Sequence, residues 1–228
     1  MVDFKKFKVL TFDCYGTLID WETGILSVLK PILFVHGKTL QDEQILELYA
    51  QLEAEEESGK YISYREILQN VVKGFGKKLG FSPSSFEKKA LPKSLKFWSP
   101  FPDTIEALEK LKEKFMLAII SNTDDDLFAQ TAKHLKVKFN WVITAEQVKS
   151  YKPSLNNFKQ AIQRIGLAPG KILHVAQSVY HDIIPAKSSG LATVLVRRRG
   201  AGATLPAEGK PDLEVPDLKT FASMVYNH

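Results

Sequence analysis

The chain has 228 residues, of which 44% are hydrophobic and 25% are charged. This length suits one α/β domain with a modest insertion or two small domains, and the composition is ordinary for a globular protein. The single cysteine, Cys14, excludes an internal disulfide framework and favours a reducing compartment. We therefore expect a cytoplasmic protein.

The first residues lack the long apolar segment of a secretory signal, and no apolar run approaches the roughly 20 residues that a bilayer span needs. The formal net charge of +5 could attract anionic partners. However, the lysines are scattered, and aromatic and basic residues do not interleave as in a nucleic-acid platform. We expect a mildly basic surface, with no membrane or nucleic-acid partner.

The first predicted element is a short strand at residues 8–12, which ends at Asp13 and is followed by a Gly-containing turn. From residue 20 to residue 96 the apolar residues recur at helical spacing, and chain breakers are scarce. This segment is therefore predicted to form several helices without a strand.

Strands and helices alternate after Pro100 and Pro102. The patterns predict helices at residues 104–115 and 156–165, a terminal helix, and strands at residues 116–120, 141–144, 172–176 and 192–196. The cluster at residues 197–199 is interpreted as the exit of a strand from the core. Buried strands that alternate with helices predict an α/β fold with a doubly wound parallel sheet.

Chemistry in such sheets collects at the carboxyl ends of the strands. The residues at or just beyond the predicted strand ends include Asp13, Thr17, Ser121, Asn122, Lys152 and Asp182. A carboxylate such as Asp13 can act as a nucleophile when neighbouring cations keep it ionised, and Lys152 could lower its pKa. The alternatives are a turn-forming Asp13, a solvated Lys152 and helix caps at the other positions.

The histidines and the acidic run have simpler interpretations of their own. His174 lies within an apolar run, which favours a packed core histidine, while His181 next to Asp182 stays open between the two roles. Acids at residues 124–126 lie where the next helix is expected to begin, and this position favours negative charge.

Four ordered segments resemble the motifs of the haloacid dehalogenase superfamily. They are Asp13-Cys14-Tyr15-Gly16-Thr17-Leu18, then Ser121-Asn122, then Lys152-Pro153, then Gln177 through Asp182. The resemblance spans nearly the whole chain and implies a Rossmann-like core at residues 1–19 and 99–228 with a helical cap at residues 20–98. It also implies a homodimer, because relatives are often dimers.

Two positions disfavour the phosphatases of this superfamily. Tyr15 stands where those enzymes carry a second aspartate, and Gln177 stands where they carry one acid of a magnesium-binding pair. Hard Mg²⁺ prefers carboxylate oxygens, so the loss of one weakens a metal site. An Mg²⁺-dependent small-molecule phosphatase is therefore the alternative interpretation, and we expect neither metal nor cofactor.

The Asp-x-Tyr-Gly-Thr pattern resembles instead the 2-haloacid dehalogenases, in which the aspartate displaces a group at C2 of a small carboxylic acid. By that resemblance Asp13 is the nucleophile, Lys152 keeps it ionised, and Asp182 helps to activate the water that hydrolyses the ester. The resemblance places substrate-binding groups at Tyr15, Thr17, Ser121, Asn122 and Gln177.

One departure concerns the leaving group. The resembled dehalogenases use an arginine on an early cap helix to receive the halide, whereas this chain has no arginine before Arg65. The corresponding stretch, residues 47–53, is apolar and acidic. The hypotheses are therefore halide release, ring opening of a strained cyclic amino acid such as L-azetidine-2-carboxylate, the phosphatase, and a non-catalytic binding protein with the same fold.

Overall fold

A parallel six-stranded sheet lies at the centre of the computed structural model, which describes residues 2–198 and 202–226. The strand order is β3-β2-β1-β4-β5-β6. The strands are β1 (Val9–Phe12), β2 (Met116–Ser121), β3 (Trp141–Thr144), β4 (Ile172–Ala176), β5 (Ala192–Val196) and β6 (Leu213–Val215). The predicted α/β class with a Rossmann-like sheet is confirmed.

The central strand explains where a site can form. Every residue of β1 is buried, as expected for a strand covered on both faces. It pairs with β2 on one side and with β4 on the other. Strand β3 extends the sheet beyond β2, and strands β5 and β6 extend it beyond β4. A crevice opens at the carboxyl ends of β1 and β4, where the strand order reverses.

In the part of the chain that the structure describes, six α-helices accompany the sheet outside the insertion. They are α5 (Thr104–Lys112), α6 (Asp125–Leu135), α7 (Ala145–Val148), α8 (Leu155–Ile165), α9 (Ile184–Ser188) and α10 (Leu218–Tyr226). A short π-helical turn at Val179–Ile183 precedes α9. Helix α5 ends before residues 113–115, which had been predicted as helical, and strand β6 was not predicted.

The connection from β1 to β2 contains the cap helices α1 (Trp21–Val35), α2 (Asp42–Glu57), α3 (Tyr64–Leu79) and α4 (Ser85–Ser94). Residues 20–98, all described, hold no strand, as the periodicity predicts. Within residues 2–198 and 202–226, no helix combines the length and apolarity needed to cross a membrane.

The two chain segments that join the helical insertion to the sheet lie side by side. Ile19 forms an isolated bridge with Pro100, and the backbone N–H of Asp20 donates to the carbonyl of Ser99 at 2.9 Å. The insertion therefore leaves and re-enters the core at one place. We propose on this basis that residues 20–98 form the cap domain and residues 1–19 and 99–228 the core.

Asp124, a residue of the core, links the core to the cap. Its side chain makes no cap hydrogen bond to its own helix α6. Instead its carboxylate oxygens accept the backbone N–H groups of Tyr64 at 2.8 Å and Arg65 at 2.9 Å, at the start of α3. The expectation that the acids at residues 124–126 lie where a helix begins is confirmed, because α6 begins at Asp125. The Asp124 carboxylate in addition binds the amino end of a cap helix.

Replacing Asp124 with alanine is expected to destabilise the protein by about 1–3 kcal/mol, because one buried and one partly buried N–H group lose their acceptor. Urea denaturation of the purified protein measures the change. Asp126→Ala is the matched control, because it removes an ion pair with Arg65 whose partners are 69% and 40% exposed. Exposed pairs contribute about 0–1 kcal/mol. Equal losses in the two variants would contradict the bridging role of Asp124.

Candidate active site

The candidate site lies in the crevice at the carboxyl ends of the central strands. Asp13 follows β1 directly and is 7% exposed. Ser121 ends β2, Asn122 comes next, and Gln177 follows β4. The sheet thus brings three of the sequence-predicted segments together without any contribution from the cap.

The ammonium of Lys152 forms the centre of the polar cluster. Its Nζ donates to Asp13 Oδ1 at 2.8 Å, to Asp182 Oδ1 at 2.7 Å and to the carbonyl of Ile120 at 3.1 Å. The lysine is only 2% exposed. All three N–H bonds of the ammonium are therefore used, and the alternative of a solvated surface lysine is wrong.

Asn122 fixes the loop that carries Lys152. The backbone N–H of Lys152 donates to Asn122 Oδ1 at 2.7 Å, and Asn122 Nδ2 donates to the carbonyl of Lys152 at 3.0 Å. This reciprocal pair holds the lysine backbone at the end of β2. Asn122 was predicted to bind substrate, and the structure shows that it also positions the lysine.

Thr17 holds the second oxygen of the candidate nucleophile. Its hydroxyl donates to Asp13 Oδ2 at 2.6 Å and accepts the backbone N–H of Gln177 at 2.9 Å. Thr17 is fully buried, so the structure places it behind Asp13 rather than on the cavity wall. The turn between them needs Gly16, whose φ is +87° and whose added Cβ would lie 2.9 Å from Trp21 Nε1.

Sequence reasoning missed a second layer of polar contacts behind Asp182. His174 Nε2 lies 3.0 Å from Asp182 Oδ1, and His174 Nδ1 lies 2.9 Å from Thr11 Oγ1. Both contacts are satisfied when Nε2–H donates to Asp182 and the Thr11 hydroxyl donates to Nδ1. His174 is buried, as interpreted from the sequence, but it also orients Asp182. Thr11 and His174 are paired residues in the β1–β4 register, and this pairing brings their side chains within hydrogen-bond distance.

The charges of the cluster depend on a balance between burial and pairing. Burial raises the pKa of Asp13, and the Lys152 ammonium opposes this without overcoming it. For Asp182, burial is outweighed by Lys152 and His174, which lower its pKa to about 2. Burial would lower the pKa of Lys152, but the two carboxylates raise it above its ordinary value. The expectation that Lys152 lowers the pKa of Asp13 agrees in direction, although burial leaves this pKa above its ordinary value.

A cavity opens above Asp13, with an empty volume of about 380 Å³ including its mouth. Lys152 and Asp182 line it from the core, and Trp21 lines it from the cap. Two buried oxygens in this lining, Ser121 Oγ and Asp182 Oδ2, have no hydrogen-bond partner within residues 2–198 and 202–226. These oxygens are available to a bound molecule or to water.

The cap contributes an acidic wall to the cavity, formed by Glu53 and Glu57 of α2. Glu57 Oε1 accepts a hydrogen bond from Asn122 Nδ2 at 3.0 Å, and Glu57 Oε2 lies 3.5 Å from His181 Nε2. Burial would lower the pKa of His181, but Glu57 raises it. The sequence showed that the stretch was acidic but could not show which acids face the core.

The remaining candidates divide according to where their side chains point. Tyr15 and Gln177 line the cavity, although the Tyr15 hydroxyl is hydrogen-bonded to Thr131 Oγ1 at 2.9 Å. Of the cap aromatics, Trp21 lines the cavity, whereas Tyr61 and Trp98 do not belong to the lining that the described residues define.

The donor set does not suit a divalent metal ion. The Lys152 ammonium lies between Asp13 and Asp182, and Gln177 offers an amide in place of a carboxylate. In the part of the chain that the structure describes, no three His, Cys, Asp or Glu side chains form a group that could hold a metal. We therefore derive no step through a metal ion.

Comparison with known proteins identifies the family. A model of the haloacid dehalogenase-like hydrolases matches residues 10–196. The chain belongs to this family. As a haloacid dehalogenase-like protein it is a hydrolase, and the motifs in which the sequence resembles the family are those that meet at the cavity.

Curated relatives and solved structures extend this result. The chain is 28% identical to (S)-2-haloacid dehalogenase H-109 of Pseudomonas putida over 92% of this chain and 93% of that protein. It is 26% identical to glyceraldehyde 3-phosphate phosphatase of Methanothermobacter thermautotrophicus, over 83% and 85%. L-2-haloacid dehalogenase of Xanthobacter autotrophicus with chloropropionic acid covalently bound shares the fold, with a TM-score of 0.81, 20% identity and coverage of 96% and 98%.

Replacing Lys152 with glutamine is expected to lower kcat/KM by about 10²–10³-fold, the loss seen when one charge-stabilising donor is removed from a site. Because the Lys152 ammonium lowers the pKa of Asp13, its loss raises that pKa further. The predicted role of Asp13 as nucleophile requires its ionised form, so the acidic limb of the pH–rate profile should move to higher pH. Initial rates measured from pH 4 to pH 9 report both effects.

Lys159→Gln is the matched control, because it removes the same charge from an exposed position on α8. It should leave both the rate and the acidic limb in place. A Lys152→Gln enzyme with an unmoved acidic limb would contradict the pairing of Lys152 with the nucleophile.

Proposed function

We propose that this hydrolase attacks C2 of a small 2-substituted carboxylic acid with Asp13 and forms an aspartyl ester. The observation that carries the proposal is the Lys152 ammonium, which contacts Asp13 at 2.8 Å and Asp182 at 2.7 Å. It stabilises the charged form of a buried nucleophile, and Thr17 aims the second oxygen. Attack on saturated carbon inverts C2, and covalent catalysis divides the displacement into two easier steps.

Water then hydrolyses the ester at the carboxyl carbon of Asp13. Asp182 is suited to orient this water, because its Oδ1 is held by Lys152 and His174 while its Oδ2 has no partner among the described residues. Ser121 Oγ is likewise free and lines the same cavity, so it is suited to bind the substrate carboxylate.

The proposed reaction needs no metal ion, and this distinguishes it from the reaction of an Mg²⁺-dependent phosphatase. Lys152 supplies the positive charge between the two carboxylates. Tyr15 replaces the acid that would protonate a departing alcohol, and burial raises its pKa above its ordinary value. A phenol with a raised pKa is a poor proton donor at neutral pH.

We further propose that the leaving group is the nitrogen of a strained ring, as in L-azetidine-2-carboxylate. Glu53 and Glu57 line the cavity, and the negative charge of the Glu57 carboxylate favours an ammonium over a halide. The last turn of α2 carries Glu55, Glu56 and Glu57 with no basic residue. Acids are disfavoured at the carboxyl end of a helix, so helix stability does not explain them.

Halide release from a 2-haloacid is the second candidate, because a relative that is 28% identical carries that activity in its name. In this chain the cavity cations are Lys152, whose N–H groups are already used, and His181, which faces Glu57. A departing chloride would therefore meet little positive charge.

A single turnover in ¹⁸O-labelled water with excess enzyme tests the ester route. Because water attacks the carboxyl carbon, label should enter the Asp13 carboxylate and be absent from the first product. Mass spectrometry of the peptide that contains Asp13 and of the product measures both. Label in the first product would show direct attack of water at C2 and would sink the nucleophile assignment.

Paired substrates test the leaving group. The enzyme is expected to open L-azetidine-2-carboxylate to 4-amino-2-hydroxybutanoate faster than it releases chloride from 2-chloropropionate, because the acidic wall favours an ammonium over a halide. We expect a rate ratio of at least about tenfold, which corresponds to a barrier difference of about 1.4 kcal/mol. Chromatography of the amine product and a chloride assay give the two rates, and EDTA should change neither.

Chloride release without ring opening would overturn the amine proposal and leave the Asp13 chemistry in place. Turnover of p-nitrophenyl phosphate that requires Mg²⁺ would favour the phosphatase. Asp13→Asn is the inactive control, and full activity in that variant would overturn the whole mechanism.

A further inference from the structure

A buried carboxyl group in the cap is not used by the chemistry described so far. Glu53 is 4% exposed and lines the cavity that also contains Asp13. Its Oε1 accepts the hydroxyl protons of Tyr49 and Tyr64, each at 2.7 Å. Its Oε2 accepts no hydrogen bond from the described residues. One oxygen is therefore held in place, and the other is available to a ligand.

The surroundings of Glu53 favour a bound proton. Burial raises its pKa, and the Glu57 carboxylate one helical turn later raises it further, to about 7. Tyr49 and Tyr64 act in the opposite direction through their hydrogen bonds, and so does His181 from the π-helical turn. Two carboxyl groups that face one enclosed space cannot both ionise freely, so a proton is retained near neutral pH.

We propose that Glu53 is the acid that protonates the departing nitrogen of a cyclic-amine substrate. This inference rests on the proposed function and assigns a role within it. The placement suits the chemistry, because Glu53 projects from the cap on the wall of the cavity whose floor contains Asp13.

The step balances as follows for a ring nitrogen that enters as an ammonium. An oxygen of Asp13 forms a bond to C2 while the C2–N bond breaks and leaves its electron pair on nitrogen. Glu53 transfers its proton to this developing pair, so the nitrogen departs as a primary ammonium and Glu53 becomes a carboxylate beside it. Hydrolysis of the ester then releases one proton, which restores Glu53, and the product leaves as 4-ammonio-2-hydroxybutanoate.

The pH profile of ring opening tests the assignment. Because Glu53 must be protonated, kcat/KM of the wild type for L-azetidine-2-carboxylate should fall as pH rises through the pKa near 7. In Glu53→Gln the rate should drop by about 10²-fold, a typical contribution of general acid catalysis. The alkaline limb should also disappear, because glutamine has no proton to lose.

Two further variants separate proton transfer from a structural role. Glu55→Gln removes the same charge from an exposed position in the same turn, and it should change the rate by less than about twofold. Tyr49→Phe removes a donor that lowers the pKa of Glu53. The alkaline limb of the Tyr49→Phe pH–rate profile should therefore move to higher pH. Damaged packing would instead lower the rate at every pH without a shift of the limb.

An enzyme that opens the ring but keeps its alkaline limb in Glu53→Gln would overturn the role of Glu53 and leave the proposed function intact. An unmoved limb in Tyr49→Phe would also count against it, even where Glu53→Gln fails to fold. If the wild type opens no cyclic amine and releases chloride, the proposed leaving group itself is wrong.

Discussion

The structure depends on one ammonium that is shared by two buried carboxylates. Burying three charges is unfavourable unless each is paired and hydrogen-bonded. Here the Lys152 ammonium uses all three of its N–H bonds. Thr17 donates to the second oxygen of Asp13, and His174 contacts Asp182. Four separate chain segments must meet for this to happen. The β1–β4 switch point and the reciprocal bonds of Asn122 bring them together.

The core and the cap contribute different properties to the cavity. The core supplies Asp13, the proposed nucleophile, which accepts hydrogen bonds from Thr17 and Lys152. The cap supplies Glu53 and Glu57, which form an acidic wall on the opposite side of the cavity. Asp124 links the two, because it binds the start of α3, the helix that carries Tyr64. Tyr64 in turn donates to Glu53, so a continuous line of contacts runs from the core to the cap acid.

Much of this arrangement could be predicted from the sequence. Strands β1 to β5, the helical insertion and the clustering of residues at strand ends follow from apolar periodicity and turn residues. Strand β6 could not be predicted, because three residues within a Pro- and Gly-containing segment carry no periodicity. The roles of Glu53 and Asp124 depend on which way a side chain points across the cap–core boundary, and the role of His174 depends on its contact with Asp182 within the core. That direction is set by tertiary packing, and a single helix or strand pattern does not contain it.

The hydrogen bonds that fix the nucleophile have a consequence for how this scaffold can diversify. Among residues 2–198 and 202–226, the side-chain hydrogen bonds of Asp13, Lys152 and Asp182 all join core residues, and none involves α2. Substitutions on that helix can therefore alter the reactant that is accepted, and the departure of its leaving group, without removing the hydrogen bonds that hold Asp13. Changes in leaving-group selectivity and loss of the Asp13 centre are separable mutational events in this protein, and substitutions in the insertion mainly cause the former.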